Sequence, residues 1–116
     1  MEKIVEQGLL YDFYGELLTE HQRQVYEAAV YDDMSLTEIA DEHGISKQGV
    51  HDLIKRCTKT LQGYEDKLHM IRRFEAIKES AKELKSVSEK GGVLTDDELR
   101  DKLKCISNRI LEELNN

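Results

Sequence analysis

The side chains best suited to chemistry lie between residues 46 and 59. Lys47, Gln48, His51 and Lys55 follow one another at spacings of one, three and four, which puts them on the outward side of one helix. Lys and Arg donate to phosphate oxygens, and Gln and His can bond the edges of bases in a major groove. Ser46 before this group, and Arg56 and Lys59 after it, extend the same set. The expected nucleic-acid contacts are therefore Ser46, Lys47, Gln48, His51, Lys55, Arg56 and Lys59.

Such a helix presents these groups only if its other side is held. Residues 35–56 supply what that requires. Ser35 caps a short helix over 36–43, and Glu38 completes a capping box. Ile39 and Ala40 face inward, and Ala40 is small enough for a second helix to cross closely. Gly44 stands where a turn demands a residue tolerant of positive φ. Ile45 plugs that turn. Ser46 caps the second helix, expected over 47–61, and Val50 and Leu53 return to the core at helical spacing. The spacing is that of a helix-turn-helix over about 36–61. An αα-corner used only for packing would place the same demands on the chain.

Charge limits what such a face can do. The 116 residues carry 24 acids and 17 bases, a net charge of −7. Residues 1–34 hold 8 acids and 2 bases, residues 35–56 hold 4 and 3, and residues 57–116 hold 12 of each. Within residues 46–60, Lys47, Lys55, Arg56 and Lys59 face a single acid, Asp52. The second motif helix is a basic strip on an acidic body. That arrangement suits sequence-specific or weak binding and excludes avid coating of DNA.

Charged residues make up 35% of the chain, aromatic residues 6%, and there is no proline. With no alternating β-branched run, this composition indicates an all-α fold. A first helix is expected over about 2–18, with Ile4, Val5, Leu9, Leu10, Phe13, Tyr14, Leu17 and Leu18 as its stripe. Thr19 and Gln22 form a capping box for a second helix over about 20–31, with Val25, Ala28 and Ala29 inward. Gln62 and Gly63 mark a break or bend. A long charged helix over 64–90 follows, with a narrow stripe through Tyr64, Leu68, Ile71, Phe74, Ile77, Ala81, Leu84 and Val87. Lys90, Gly91 and Gly92 end it. Thr95 and Glu98 cap a last helix over about 96–114, with Leu99, Leu103, Ile106, Ile110 and Leu114 as its stripe. The expected organisation is a helical domain over 1–63 and a C-terminal helical extension over 64–116. Two matched stripes joined by a glycine turn suit an antiparallel hairpin, a dimer seam, or ordinary core burial. The apolar surface exceeds the needs of one small core, so a homodimer is expected.

Catalytic and metal sites are not expected. There is no phosphate-binding glycine loop, no HExxH and no GxSxG. Cys57 and Cys105 lack CxxC spacing and read as reduced thiols within helices. Asp32 with Asp33, and Asp96 with Asp97, sit at helix entrances, where the helix dipole accounts for them. His51 is the one histidine of four placed for contact. No cofactor is implied. No apolar run reaches membrane-spanning length and no signal peptide opens the chain, so no membrane association and a cytoplasmic location are expected.

From residues 18–23 (Leu-Thr-Glu-His-Gln-Arg) through Leu61 the chain resembles region 4 of bacterial sigma factors. Its whole pattern is closer to the YlxM family of small bacterial helix-turn-helix proteins. The matching features are residues 11–19 (Tyr-Asp-Phe-Tyr-Gly-Glu-Leu-Leu-Thr), the run Gln22, Arg23, Gln24, and residues 35–53. The resemblance implies a sigma-region-4-like helix-turn-helix domain with a C-terminal helical extension. It also implies a link to the signal recognition particle, beside whose genes that family is encoded. Two roles follow: a DNA-binding regulator of that operon, or an accessory factor of the particle acting through protein or RNA contacts. The acidic N-terminal third, and the lack of any promoter-melting domain, argue against a complete sigma factor.

Overall fold

The computed structural model describes residues 3–90 and 92–115. Among them there are six α-helices and no strand. The chain divides between His69 and Met70 into two compact units. The first contains α1 (Lys3–Tyr14), α2 (Glu20–Val30), α3 (Leu36–His43) and α4 (Lys47–Leu68). The second contains α5 (Met70–Glu89) and α6 (Asp96–Asn115).

The first helix is shorter than its apolar stripe suggests. α1 ends at Tyr14, a single 3-10 turn covers Gly15–Leu17, and Leu18 is extended. The expected start at Glu2 lies outside the described residues. Gly15 explains the change of geometry. A Cβ there would come within 2.8 Å of the Tyr11 ring, so the ring packs where only glycine leaves room. The turn splits the stripe. Leu10, Tyr14 and Leu18 are buried, whereas Ile4, Val5 and Leu17 are about half exposed.

Thr19 opens α2 with both bonds of a capping box. Its backbone N–H donates to Gln22 Oε1 at 2.9 Å, and the Gln22 N–H donates to Thr19 Oγ1 at 3.3 Å. Val25 and Ala28 are buried and Ala29 is half-buried, as their spacing requires. Tyr26 is also fully buried, and it ties three helices together. Thr58 on α4 donates its hydroxyl proton to the Ile54 carbonyl at 2.9 Å and accepts from Gln7 Nε2 at 3.3 Å. The Tyr26 hydroxyl, 2.9 Å away, therefore donates to Thr58 Oγ1. A buried phenol is thus satisfied, which avoids the cost of an unpaired polar group. Above it, Tyr11 stacks on Tyr26 at 5.7 Å and meets Tyr31 edge-on at the same distance. The Tyr11 hydroxyl donates to Glu27 and that of Tyr31 to Asp12. Burial, and then these carboxylate acceptors, push both phenols up to about 12.

The core of this unit is Val25, Ala28, Ile39, Ala40 and Val50. Met34, Leu36, Ile45, Leu53 and Ile54 pack around it. Every apolar position that the helix-turn-helix spacing assigns inward is in this cluster or against it.

α4 does not stop at Gln62 and Gly63. It runs on to Leu68, a correction to the break expected there. One glycine costs a helix only about 1 kcal/mol relative to Ala, and Leu61 beside it is fully buried and holds the helix. The break falls at His69, whose φ of 55° and ψ of 30° put a non-glycine residue in the left-handed region. Its N–H closes the helix onto the Glu65 carbonyl at 2.8 Å. The helix expected over 64–90 is therefore two helices, α4 and α5.

α5 and α6 form an antiparallel hairpin. Glu83 accepts a hydrogen bond from Arg109, and Ala76 and Ser80 face Glu112 and Glu113. Thr95 caps α6, accepting from the Glu98 N–H at 3.2 Å and donating its own N–H to Glu98 Oε1 at 3.3 Å. Val87 and Ile106 are buried, while Phe74, Leu84, Leu103 and Leu114 stay between 38% and 63% exposed.

Candidate nucleic-acid interface

The geometry of the turn sets the angle of α4. Ser35 accepts from the Glu38 N–H at 3.1 Å, and its own N–H donates to Glu38 Oε1 at 3.2 Å, so α3 starts with a full capping box. α3 ends on Gly44 at φ 65° and ψ 32°. The Gly44 N–H donates to the Ala40 carbonyl, and the Ile45 N–H donates to the same oxygen at 3.1 Å. Ser46 then starts α4 by accepting from the Gly49 N–H at 2.9 Å. No atom lies within 4 Å of the place a Cβ would occupy at Gly44. The constraint there is the backbone angle and not space. Gly44→Val is therefore expected to destabilise the protein by at least ~1 kcal/mol, and Gly44→Asn by clearly less, because Asn tolerates positive φ. Urea unfolding midpoints decide it. Equal midpoints for parent and Gly44→Val would show that the turn is not left-handed.

Seen along α4, Val50, Cys57 and Leu61 are buried, with Leu53 and Ile54 half-buried. Ser46, Lys47, Gln48, His51, Lys55, Arg56 and Lys59 are all exposed. At about 100° per residue, Lys47 and His51 occupy one edge of the outward arc, Gln48, Lys55 and Lys59 its middle, and Arg56 the other edge. Lys55, Arg56 and Lys59 line one shallow depression with Asp52. Ser46 is the exception in role. Its oxygen serves the cap, so it positions the helix, and one lone pair and the hydroxyl proton remain for a ligand.

The sequence marks Asp52 only as a counter-charge. In the structure its Oδ1 accepts from Gln48 Nε2 at 3.0 Å and lies 3.7 Å from His51 Nδ1. One of the expected contact residues, Gln48, is thus already engaged by this carboxylate, and a second, His51, stands beside it. The spacing of four between Gln48 and Asp52 is the signal that could have found it. Glu38, Asp41 and Glu42 on α3 are further exposed acids of the motif. The exposed bases of α4 thus share the motif with four exposed acids, of which Asp52 lies among them.

Other residues with chemical potential are held structurally. Burial pushes the Cys57 thiol up from its ordinary value, and the side chain is 1% exposed. Cys105 is exposed, and neither cysteine is in a disulfide. His21 and His43 meet edge to face at 5.6 Å, packing the start of α2 against the end of α3. Among the described residues, no group of three or more His, Cys, Asp or Glu side chains could hold a metal ion. No helix among them is long and apolar enough to cross a membrane.

Comparison with known proteins agrees with this geometry. A UPF0122 protein of Clostridium kluyveri is 45% identical over 82 residues, covering 71% of this chain and 74% of the relative. One from Listeria welshimeri is 37% identical over 107 residues, covering 92% and 96%. One from Halalkalibacterium halodurans is 41% identical over 90 residues, covering 78% and 83%. Residues 1–104 match a family model described as "Putative helix-turn-helix protein, YlxM / p13 like". With its two capped helices, its left-handed turn glycine and a match over most of its length, the chain belongs to the UPF0122 family of helix-turn-helix proteins.

Proposed function

We propose that this protein is a non-enzymatic regulator that reads duplex DNA, in the cytoplasm, with the outward face of α4. The observation that carries the reading is the row of exposed Lys47, Gln48, His51, Lys55 and Lys59 on a helix held by two caps and a packed core. The resemblance to the YlxM family points to the genes of the signal recognition particle as the regulated set. The surrounding acids set the character of the binding. With a net charge of −7, nonspecific attraction is weak, and affinity must come from a correct sequence.

Reading two half-sites requires two copies, and we assign the protein to a homodimer. The exposed Leu84, Leu103 and Leu114 of the hairpin support a seam between copies. Sedimentation equilibrium at micromolar concentration is expected to give twice 13.4 kDa, and a single species at 13.4 kDa would overturn the dimer.

The same apolar residues favour a second reading, an accessory factor that meets the signal recognition particle through protein or RNA contacts. Selection from random duplex DNA, run beside a pull-down of the particle's protein and RNA, separates the two. Enrichment of one DNA motif supports the regulator. Capture of particle components with no enriched motif would replace it with the accessory factor.

A further inference from the structure

Asp52 is the one carboxylate on the outward face of α4 between Lys47 and Lys59. On a surface meant for a polyanion it opposes binding, since each negative charge adds to the repulsion of phosphates. Its contacts suggest what it does in return. Gln48 Nε2 donates to Asp52 Oδ1 at 3.0 Å across one helical turn. A carboxylate can only accept, so the amide must turn its nitrogen toward Asp52. The orientation of the Gln48 amide is therefore dictated by its neighbour. The opposite orientation would set Oε1 against Oδ1, two acceptors with no proton between them.

That orientation matters at a base edge. Adenine shows an acceptor at N7 and a donor at N6 in the major groove, whereas guanine shows acceptors at both N7 and O6. With one N–H of Gln48 bonded to Asp52, the second N–H is available to adenine N7, and Oε1 is available to the adenine N6 amine. Against guanine the same Oε1 would face O6. An unrestrained glutamine could instead aim Nε2 at guanine and donate one N–H to N7 and the other to O6. Gln48 can do so only by giving up Asp52, because one of its two N–H groups is already bonded there. Removal of water in a groove makes that exchange costlier than it is on the free helix.

We propose that Asp52 is a positioning residue that fixes the Gln48 amide, so that α4 selects adenine and rejects guanine at the base pair Gln48 meets. The inference rests on the DNA-reading function proposed above. In this arrangement Asp52 lowers affinity for DNA in general and raises discrimination at one position.

The test uses the full chain as the parent, as Asp52→Asn and as Gln48→Ala, with melting curves to confirm that each is folded. Each is put through selection from random duplex DNA. Binding is then measured to the selected duplex, to the same duplex with guanine in place of the preferred adenine, and to unselected duplex. The amide introduced by Asp52→Asn can donate or accept, so it no longer dictates the orientation of Gln48. The adenine-over-guanine ratio is expected to fall about tenfold in Asp52→Asn, within what one bidentate base contact supplies. Affinity for unselected duplex should rise in the same variant, because a negative charge is gone. Gln48→Ala should lose the preference at that same base pair. Opposite movements of selectivity and affinity are not expected of a residue that only supports the helix. If Asp52→Asn kept the parent's ratio, or weakened all duplexes equally, the positioning role would be overturned while DNA reading stood. If the parent selected no duplex at all, both would fall.

Discussion

Replacing Ile39 with alanine is expected to cost about 2–5 kcal/mol, the range for removing a large aliphatic side chain from a packed core. Ile39 is fully buried among Val25, Ala28, Ala40 and Val50, where α2, α3 and α4 meet. The site has little room to collapse, because its neighbours are held by helices that each start on a side-chain cap. Total stability for a domain of this size is on the order of 5–15 kcal/mol, so the loss is a large part of it. Ile39→Val, which removes one methyl group, should cost about 0.5–1.5 kcal/mol. Urea unfolding followed by circular dichroism measures both. If Ile39→Ala cost no more than Ile39→Val, α3 would not be docked as the structure has it, and the platform for α4 would be wrong.

The second large effect concerns the three cations that share a depression on α4. A Lys55→Ala, Arg56→Ala, Lys59→Ala triple variant removes the positive side chains flanking Asp52. If each neutralises one phosphate, the slope of log affinity against log salt should flatten by about 2.7. Between about 50 and 200 mM salt, the parent's affinity should then fall about 40-fold further than the variant's. All three residues are exposed, so the melting midpoint should move little. Salt titrations of both proteins on one duplex supply the slopes. Parallel slopes would show that phosphates do not meet this part of α4. Sequence preference should survive in the variant, because Gln48 and Asp52 are untouched.

Much of this molecule is local and can be read locally. Ser35 with Glu38, Thr19 with Gln22 and Thr95 with Glu98 bond within four residues of one another, so their capping boxes depend on nothing distant. Gly44 in the left-handed region and Ser46 at the start of α4 follow from the same short-range demands. The inward row of Ile39, Ala40, Val50 and Leu53 is fixed by helical periodicity, and with it the outward row from Lys47 to Lys59. The UPF0122 assignment rests on the family match over residues 1–104, which spans these features.

What the tertiary structure alone decided involves competition between distant parts. Gly63 reads as a break by its residue type, but burial of Leu61 outweighs the small helix cost of one glycine. The true break, at His69, carries no Gly or Pro signal in the sequence. Tyr26 owes its place in the core to Thr58, which is 32 positions away, and no pattern within α2 records that partner. Periodicity marks Phe74 and Val87 as members of one stripe, yet Val87 is 5% exposed and Phe74 is 49% exposed. Spacing fixes which side of a helix a residue occupies. How much of that side is covered depends on what packs against it. The same holds at the candidate site. Sequence places Gln48 and Asp52 one turn apart, and only the folded chain orients the amide toward the carboxylate, because rotamer and direction belong to side chains held in space.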